Sequence, residues 1–378
     1  MTLLRDTFAA RRRHFCRWIK SCTQECASKI PRQLTRRGFV LVLLSLAARA
    51  VAGGIDTSGF NDSRNHWLHI RDTNRFIQVL PDQKEYAPGQ VREIAANILL
   101  FQRDNGGWPK DYDMLAILTK EQEARVRATK SRSDTSFDNG NLHSQVAYLA
   151  RAYSALGEPA WRDACLRGFD FMLAAQYSNG GFPQRFPKPT DFHAHITFND
   201  YVMIGILNVF QDAATGSPHF AWLDAQRRER AREALQRGVE CILKCQIRVN
   251  GELTGWCQQH DEKTFEAASG RTFELASICS RVTTEIIRLL MRIEKPGADV
   301  VRAIDAATEW LRQVKLTGVR VGRVKAPPVK FERHDADFDT VVVEDKKAPP
   351  LWAQHYEICA GEREPEAEVG RWMVTAVP

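Results

Sequence analysis

Two short loops carry the carboxylates best placed for chemistry. Asp138-Asn139-Gly140 precedes a helical run opening near Leu142, and Ile196-Thr197-Phe198-Asn199-Asp200 precedes one opening near Tyr201. Asp and Asn are preferred helix N-caps, which would account for either loop alone. Two Asp-Asn pairs at equivalent positions, beside loops rich in Gly and aromatics, equally fit a shared site whose hard oxygen ligands suit calcium. Arg271, in Gly270-Arg271-Thr272-Phe273-Glu274, stands in the corresponding place before a third helix near residue 276. It either pairs with Glu274 or faces a ligand. Lys110 is either surface charge or, beside Trp108, an isolated cation in an aromatic-walled groove suited to an acidic polymer.

The elements that must position these residues are repeated. Asn105-Gly106-Gly107-Trp108-Pro109-Lys110 recurs as Asn179-Gly180-Gly181-Phe182-Pro183-Gln184, each after an apolar run with a Gln near its end. Gly tolerates the left-handed conformation at a helix C-terminus and Pro just beyond stops the helix from resuming. A degraded third copy follows Gln246, with Asn250-Gly251 and Trp256; Gln102, Gln176 and Gln246 are 74 and 70 residues apart. A period near 70 fits two helices plus functional loops. Helical apolar periods fall at 89–103, 142–155, 160–176, 201–213, 222–246, 276–293 and 299–313. The expected fold is mainly α, an (α/α) toroid of repeated helix pairs with its loops gathered at one end. The β-branched run Thr340-Val341-Val342-Val343 predicts a small β-hairpin near the C-terminus. Residues 53–86 show no clear period.

The formal charge of +7 does not indicate nucleic acid: residues 1–52 hold 11 Lys and Arg against 2 Asp and Glu, leaving 42 against 44 in the rest. The leader reads Thr35-Arg36-Arg37-Gly38-Phe39-Val40, then an apolar run to Ala48 and Ala50-Val51-Ala52. Twin arginine, a short apolar segment and a small-x-small site predict a twin-arginine-type export signal over residues 1–52, cleaved after about Ala52, and a periplasmic or secreted protein. The apolar run is too short to span a bilayer. Cys241, Cys245, Cys257 and His260 can be drawn as a zinc site, but buried core thiols explain these cysteines better. No phosphate-binding glycine loop, Gly-x-Ser-x-Gly elbow or His-Glu-x-x-His helix is present in the sequence.

Taken together, these segments resemble the polysaccharide lyase family 10 pectate lyases. The resemblance runs through Gln102-x-x-Asn105-Gly106-Gly107-Trp108-Pro109-Lys110, Phe137-Asp138-Asn139-Gly140, Asn179 to Gln184 and Ile196 to Asp200. It continues through Trp256-Cys257-Gln258-Gln259-His260-Asp261, Arg271-x-Phe273-Glu274, Val341 to Asp345 and Pro349 to Ile358, covering about residues 75–358 in order. It implies a pectate lyase that cleaves polygalacturonate by calcium-assisted β-elimination to unsaturated oligogalacturonides. Asp138 and Asp200 are the implied calcium ligands and Arg271 the implied catalytic residue. Lys110, Trp108, Asn139, Asn199 and Tyr356 are the implied substrate contacts. The implied partner is an acidic polysaccharide, and the expected state is a monomer with no stable membrane insertion after signal cleavage.

The expected organisation is a single lyase domain over residues 53–358, followed by a divergent or truncated tail over 359–378, where Cys359-Ala360-Gly361-Glu362-Arg363-Glu364-Pro365 replaces the family's arginine-rich ending. That tail leaves an alternative: an inactive or degenerate pectate-binding homologue. A terpene-cyclase-like toroid shares the Gln and Gly-Gly-Trp pattern but is disfavoured by export and by the absence of an acidic Asp-x-Asp-Asp-like cluster. A toroidal glycoside hydrolase with paired carboxylates would release saturated products.

Overall fold

The computed structural model describes residues 54–358. The export signal and the divergent tail predicted from sequence lie outside the described residues. The helices are α1 (Asn61–His69), α2 (Val91–Phe101), α3 (Lys120–Arg127), α4 (His143–Leu156), α5 (Pro159–Ala175), α6 (Val202–Ala214), α7 (Ala225–Cys245), α8 (Ser280–Met291) and α9 (Ala298–Gln313). They pair in sequence, α4 with α5, α6 with α7 and α8 with α9; one row runs α2, α4, α6, α8 and a second α5, α7, α9. α6 is buried almost all round, whereas α7 buries only a stripe of Ala231, Ala234, Gly238, Cys241, Ile242 and Cys245. That difference marks α6 as a core helix and α7 as a surface one. Among the described residues, no helix is long and apolar enough to cross a membrane.

The repeat is a repeated hydrogen-bond latch. Gln102, Gln176 and Gln246 are the C-cap residues of α2, α5 and α7. Each side-chain amide donates to a carbonyl in its own following loop and to one in a later helix. Gln102 Nε2 reaches Gly106 O and Ala164 O, both at 2.9 Å. Gln176 reaches Gly180 O at 3.0 Å and Ala234 O at 2.8 Å, and Gln246 reaches Thr254 O at 2.8 Å and Ala303 O at 3.0 Å. Each latch thus ties the loop after one helix to the flank of the helix it packs against, pairing the loop's carbonyl. Gly106 and Gly180 have φ of +94° and +93°, and a Cβ there would sit 2.7 Å from Arg167 O and 2.0 Å from Arg237 O. Both the backbone conformation and the close approach require glycine.

The expectation of a mainly α toroid is corrected. Helices make up 44 % and strands 14 % of the structure, with several small antiparallel sheets, so the architecture is mixed α and β. Three two-residue strands, β1 (Ile196–Thr197), β4 (Gln259–His260) and β5 (Ala267–Ala268), form one sheet in the order β1-β4-β5. β2 (Arg248–Val249) pairs with β3 (Glu252–Leu253), and β6 (Ile278–Cys279) with β9 (His355–Tyr356). The C-terminal hairpin is far longer than expected: β7 (Val319–Lys330) pairs with β8 (Asp335–Glu344) across an irregularity between Lys325 and Val329. Its tip is pinned by Arg71, whose guanidinium donates to the carbonyls of Phe331, Glu332 and His334 and to the Asp335 carboxylate. Two-residue strands are too short to show a period, which is why apolar patterning registered only the helices.

Candidate active site

The loops before α4 and α6 bring their aspartates together. Neither caps its helix: the residue before α4 is Leu142 at φ 72°, the one before α6 is Tyr201 at φ 63°, and neither helix N-terminus takes a bond from Asp138 or Asp200. Instead the two carboxyl groups are within hydrogen-bonding distance of each other. Asn139 and Asp200 have φ of 53° and 51°, in the left-handed region that non-glycine residues rarely occupy. Strain of this kind persists where surrounding contacts hold it, and it concentrates at functional sites.

The pair is electrostatically unequal. Asp138 Oδ2 takes a 2.5 Å hydrogen bond from Lys110 Nζ, and Oδ1 takes one of 2.8 Å from Gln184 Nε2. Burial opposes the Asp138 charge, but Lys110 outweighs it and holds the carboxyl below its ordinary range. Asp200 has Asn199 Nδ2 at 2.8 Å and only a distant Arg281, at 3.8 Å. Burial, and after it the charge on Asp138, push the Asp200 carboxyl well above its ordinary range. A proton shared between the two therefore resides on Asp200. Asn199 is itself oriented by Gln258, whose Nε2 donates to Asn199 Oδ1 at 2.9 Å and whose carbonyl takes the Phe198 and Asn199 N–H groups. Gln258 is delivered by the chain entering β4, whose pairing with β1 sets Ile196 opposite His260.

Lys110 also lies 3.5 Å from Asp111 Oδ2. Burial works against its charge, but Asp138 and Asp111 prevail and raise its pKa. Asn139 donates to Asp111 Oδ1 at 2.5 Å. Arg271 forms a two-pronged pair with Glu274, Nη2 to Oε1 at 2.5 Å and Nε to Oε2 at 3.1 Å, and its guanidinium carbon lies 4.7 Å from the Phe273 ring centroid. Half of the Arg271 side chain is exposed. The Glu274 bond raises its pKa, burial opposes this, and the charges of Asp138 and Asp200 add to it, so Arg271 lies within the field of the pair. A cavity of about 490 Å³ opens alongside, bounded in part by Gly140, Asp200, Tyr201, Arg281 and His143. Burial alone pushes the His143 imidazole down to about 4.

Of the residues expected at the site, Asp138, Asp200, Lys110, Asn139, Asn199 and Arg271 gather here. Two do not. Trp108 is 0 % exposed and donates Nε1–H to Ile98 O at 2.7 Å, just as Trp256 donates to Ile242 O at 2.8 Å. Its indole is a core plug of the repeat and offers no wall to a ligand. Tyr356 sits in an apolar cluster with Trp310, Ile247, Cys257 and Ile278, and its hydroxyl donates to Val314 O at 3.0 Å. Both rings seemed fit for a carbohydrate surface, but burial of a large aromatic outweighs exposing it. Gln184, which ends the second copy of the repeated loop, touches Asp138. Asp111, Arg281 and His66 carried no signal in the sequence.

The zinc arrangement drawn for Cys241, Cys245, Cys257 and His260 does not form, because both ring nitrogens of His260 are used by backbone. Nε2 accepts from Cys257 N–H at 3.1 Å and Nδ1–H donates to Phe265 O at 2.9 Å. Among the described residues, a group of three side chains that could hold a metal ion is His195, Asp261 and Glu262, with donor atoms within 4.8 Å of one another. It flanks the β1 and β4 register, with His195 Nδ1 3.1 Å from Glu262 Oε2.

The family model of pectic acid lyase matches residues 102–363. No curated protein matches the chain. Among solved structures, a family 10 polysaccharide lyase from Cellvibrio cellulosa is 23 % identical, with a TM-score of 0.58, over 81 % of this chain and 84 % of that one. A mutant of that lyase in complex with trigalaturonic acid is equally similar, at 23 % identity and a TM-score of 0.58, over 86 % of this chain and 85 % of that one. At this identity the structural likeness speaks for the fold, while the family match spans most of the sequence and the site loops themselves. The chain belongs to the pectic acid lyase family and is a lyase acting on polysaccharides.

Proposed function

We propose that the enzyme is a pectate lyase that cleaves polygalacturonate by calcium-assisted β-elimination and releases unsaturated oligogalacturonides. The observation that carries this reading is the contact between Asp138 and Asp200. Two buried carboxyl groups held together, one with its pKa raised by burial and by the other's charge, are a donor set that fits a hard divalent cation. The lyase in complex with trigalaturonic acid shares this fold and supports an acidic galacturonan as substrate.

In polygalacturonate the C5 proton lies α to a carboxylate and becomes removable only when that carboxylate's charge is neutralised. Asp138 and Asp200 would hold the calcium ion, which would supply that neutralisation. Lys110, Asn139 and Asn199 orient the uronate, and Lys110 adds positive charge where charge develops on its oxygens. Arg271, once its guanidinium has given up a proton to solvent, takes the C5 proton; the C4–O bond breaks, the departing oxygen takes a proton from water, and a double bond forms between C4 and C5. The Arg271 proton is held chiefly by Glu274, with Asp138 and Asp200 contributing. Positive charge at the aspartate pair offsets the last two contributions and lowers the cost of discharging the guanidinium. We also propose export through the twin-arginine-type leader and a monomeric mature enzyme.

The test is ultraviolet absorbance of unsaturated uronide when the full chain is mixed with polygalacturonate and calcium. Rising absorbance that a chelator abolishes is expected. Saturated products, or turnover indifferent to chelation, refute the mechanism. Binding of polygalacturonate without turnover establishes instead the degenerate, pectate-binding homologue.

A further inference from the structure

Lys110 stands against one member of the aspartate pair, and a second cation stands near the other. Arg281 Nη2 lies 3.8 Å from Asp200 Oδ1, too far for a hydrogen bond. Its Nε donates to Glu285 Oε1 at 3.1 Å, and among the described residues neither Nη group has a hydrogen-bond partner. The guanidinium is thus held by one nitrogen, on a half-exposed side chain that lines the cavity beside Asp200.

Helix stability does not account for this placement. Arg281 is the second residue of α8, where the helix dipole disfavours a cation, and Arg followed by Glu four residues on is the weaker order of such a pair. Glu285 is 8 % exposed, and its Oε2 is buried without a partner. Burial raises the Glu285 pKa and the Arg281 charge works against that shift, so the carboxylate serves as an anchor for the guanidinium. Tyr201 lines the same cavity, half-buried and at φ 63°. Burial and the charge of Glu285 raise its pKa, while Arg288 and Arg281 oppose the rise, which makes ring and guanidinium neighbours.

We infer that Tyr201 and Arg281 form a subsite for the uronate next to the one at the aspartate pair: the open Nη edge of Arg281 takes its carboxylate, and the Tyr201 ring packs against its sugar face. The inference rests on the acidic galacturonan proposed above as substrate. A guanidinium fork matches a carboxylate with two parallel bonds, and an aromatic ring offers an apolar face of the size of a pyranose. An Arg281 that served only to tune Asp200 would behave differently. Removing a cation 3.8 Å from that carboxylate favours calcium there, so it would not weaken a complex that depends on calcium.

The test is isothermal titration of full-length wild type, R281A, R281K and Y201L with trigalacturonate in saturating calcium, and of wild type and R281A with calcium alone. R281A is expected to bind trigalacturonate roughly 10-fold more weakly while binding calcium at least as tightly as wild type. R281K, a point charge without the fork, is expected to stay several-fold weaker than wild type, and Y201L likewise. Unchanged trigalacturonate affinity in R281A or in Y201L overturns the subsite, and so does a parallel loss of calcium affinity in R281A. If R281A does not fold around the orphaned Glu285, R281A/E285Q removes that charge, and unchanged trigalacturonate affinity there is equally fatal. A wild type that binds trigalacturonate without cleaving polygalacturonate fails as a lyase while the binding comparison still decides the subsite; a wild type that does not bind it overturns both.

Discussion

Replacing Asp200 by Asn is expected to abolish lyase turnover while making the protein more stable in alkaline solution. The carboxyl is a cost to the fold: burial and the charge on Asp138 hold its pKa well above the unfolded value. Two like unit charges at hydrogen-bonding range repel by roughly 5 kcal/mol at an effective dielectric of about 20. Lys110 at 2.5 Å from Asp138 and Arg281 at 3.8 Å from Asp200 offset much of this, leaving a net cost of about 2 kcal/mol at pH 8. Asn keeps the oxygen that accepts from Asn199 Nδ2. The sign follows from linkage: with the folded pKa raised, protonation of Asp200 favours the fold below the unfolded pKa, and that contribution is lost as pH rises through the folded pKa. The D200N gain should thus be near zero at about pH 4 and reach a Tm rise of roughly 4 °C at pH 8. Thermal unfolding by circular dichroism, in chelator across this range, measures it. Added calcium should raise the Tm of the wild type and not that of D200N, because only the former retains both carboxylates. A D200N protein no more stable than wild type at pH 8, or a gain independent of pH, would show that the two carboxyl groups do not repel and would remove the basis for a cation between them.

Three further outcomes are expected. R271K loses several orders of magnitude in kcat while isothermal titration still detects oligogalacturonate binding, since a lysine cannot reproduce the two-pronged pair with Glu274; near-normal turnover would take Arg271 out of the mechanism. W108F lowers stability by about 1–2 kcal/mol through the lost indole bond to Ile98 O and the space left by the smaller ring, and leaves KM unchanged; a raised KM at unchanged Tm would return the ring to the substrate groove. Q176A unlatches Gly180 O and Ala234 O and costs about 2–4 kcal/mol by denaturant unfolding; a loss below about 0.5 kcal/mol would mean that the latch is ornamental.

The helical half of the fold was legible because amphipathic periods are long and the latch reuses one residue type. Gln102, Gln176 and Gln246 recur at nearly constant spacing since each must reach the same two kinds of carbonyl. α1 was missed because it buries only Ser63 and Trp67, too little apolar content to show a face. The hairpin of β7 and β8 showed in its β-branched run, but the short sheets did not: β1 and β4 are two residues each and held by register with a distant segment, which leaves no local pattern. The aromatics misled because a repeat loop needs its Trp as a core plug, and nothing in Gly-Gly-Trp-Pro tells a plug from a groove wall.

By itself the sequence determined the repeat, the helices and the identity of the two aspartates, because spacing, caps and Gly-Pro stops are local properties of the chain. Only the tertiary structure decided that Asp138 and Asp200 act on each other, that Lys110 pairs with the first while burial raises the pKa of the second, and that Gln184, Asp111 and His66 complete their surroundings. Charge sharing depends on distances of a few ångströms between segments up to 73 residues apart, and no local pattern encodes those distances.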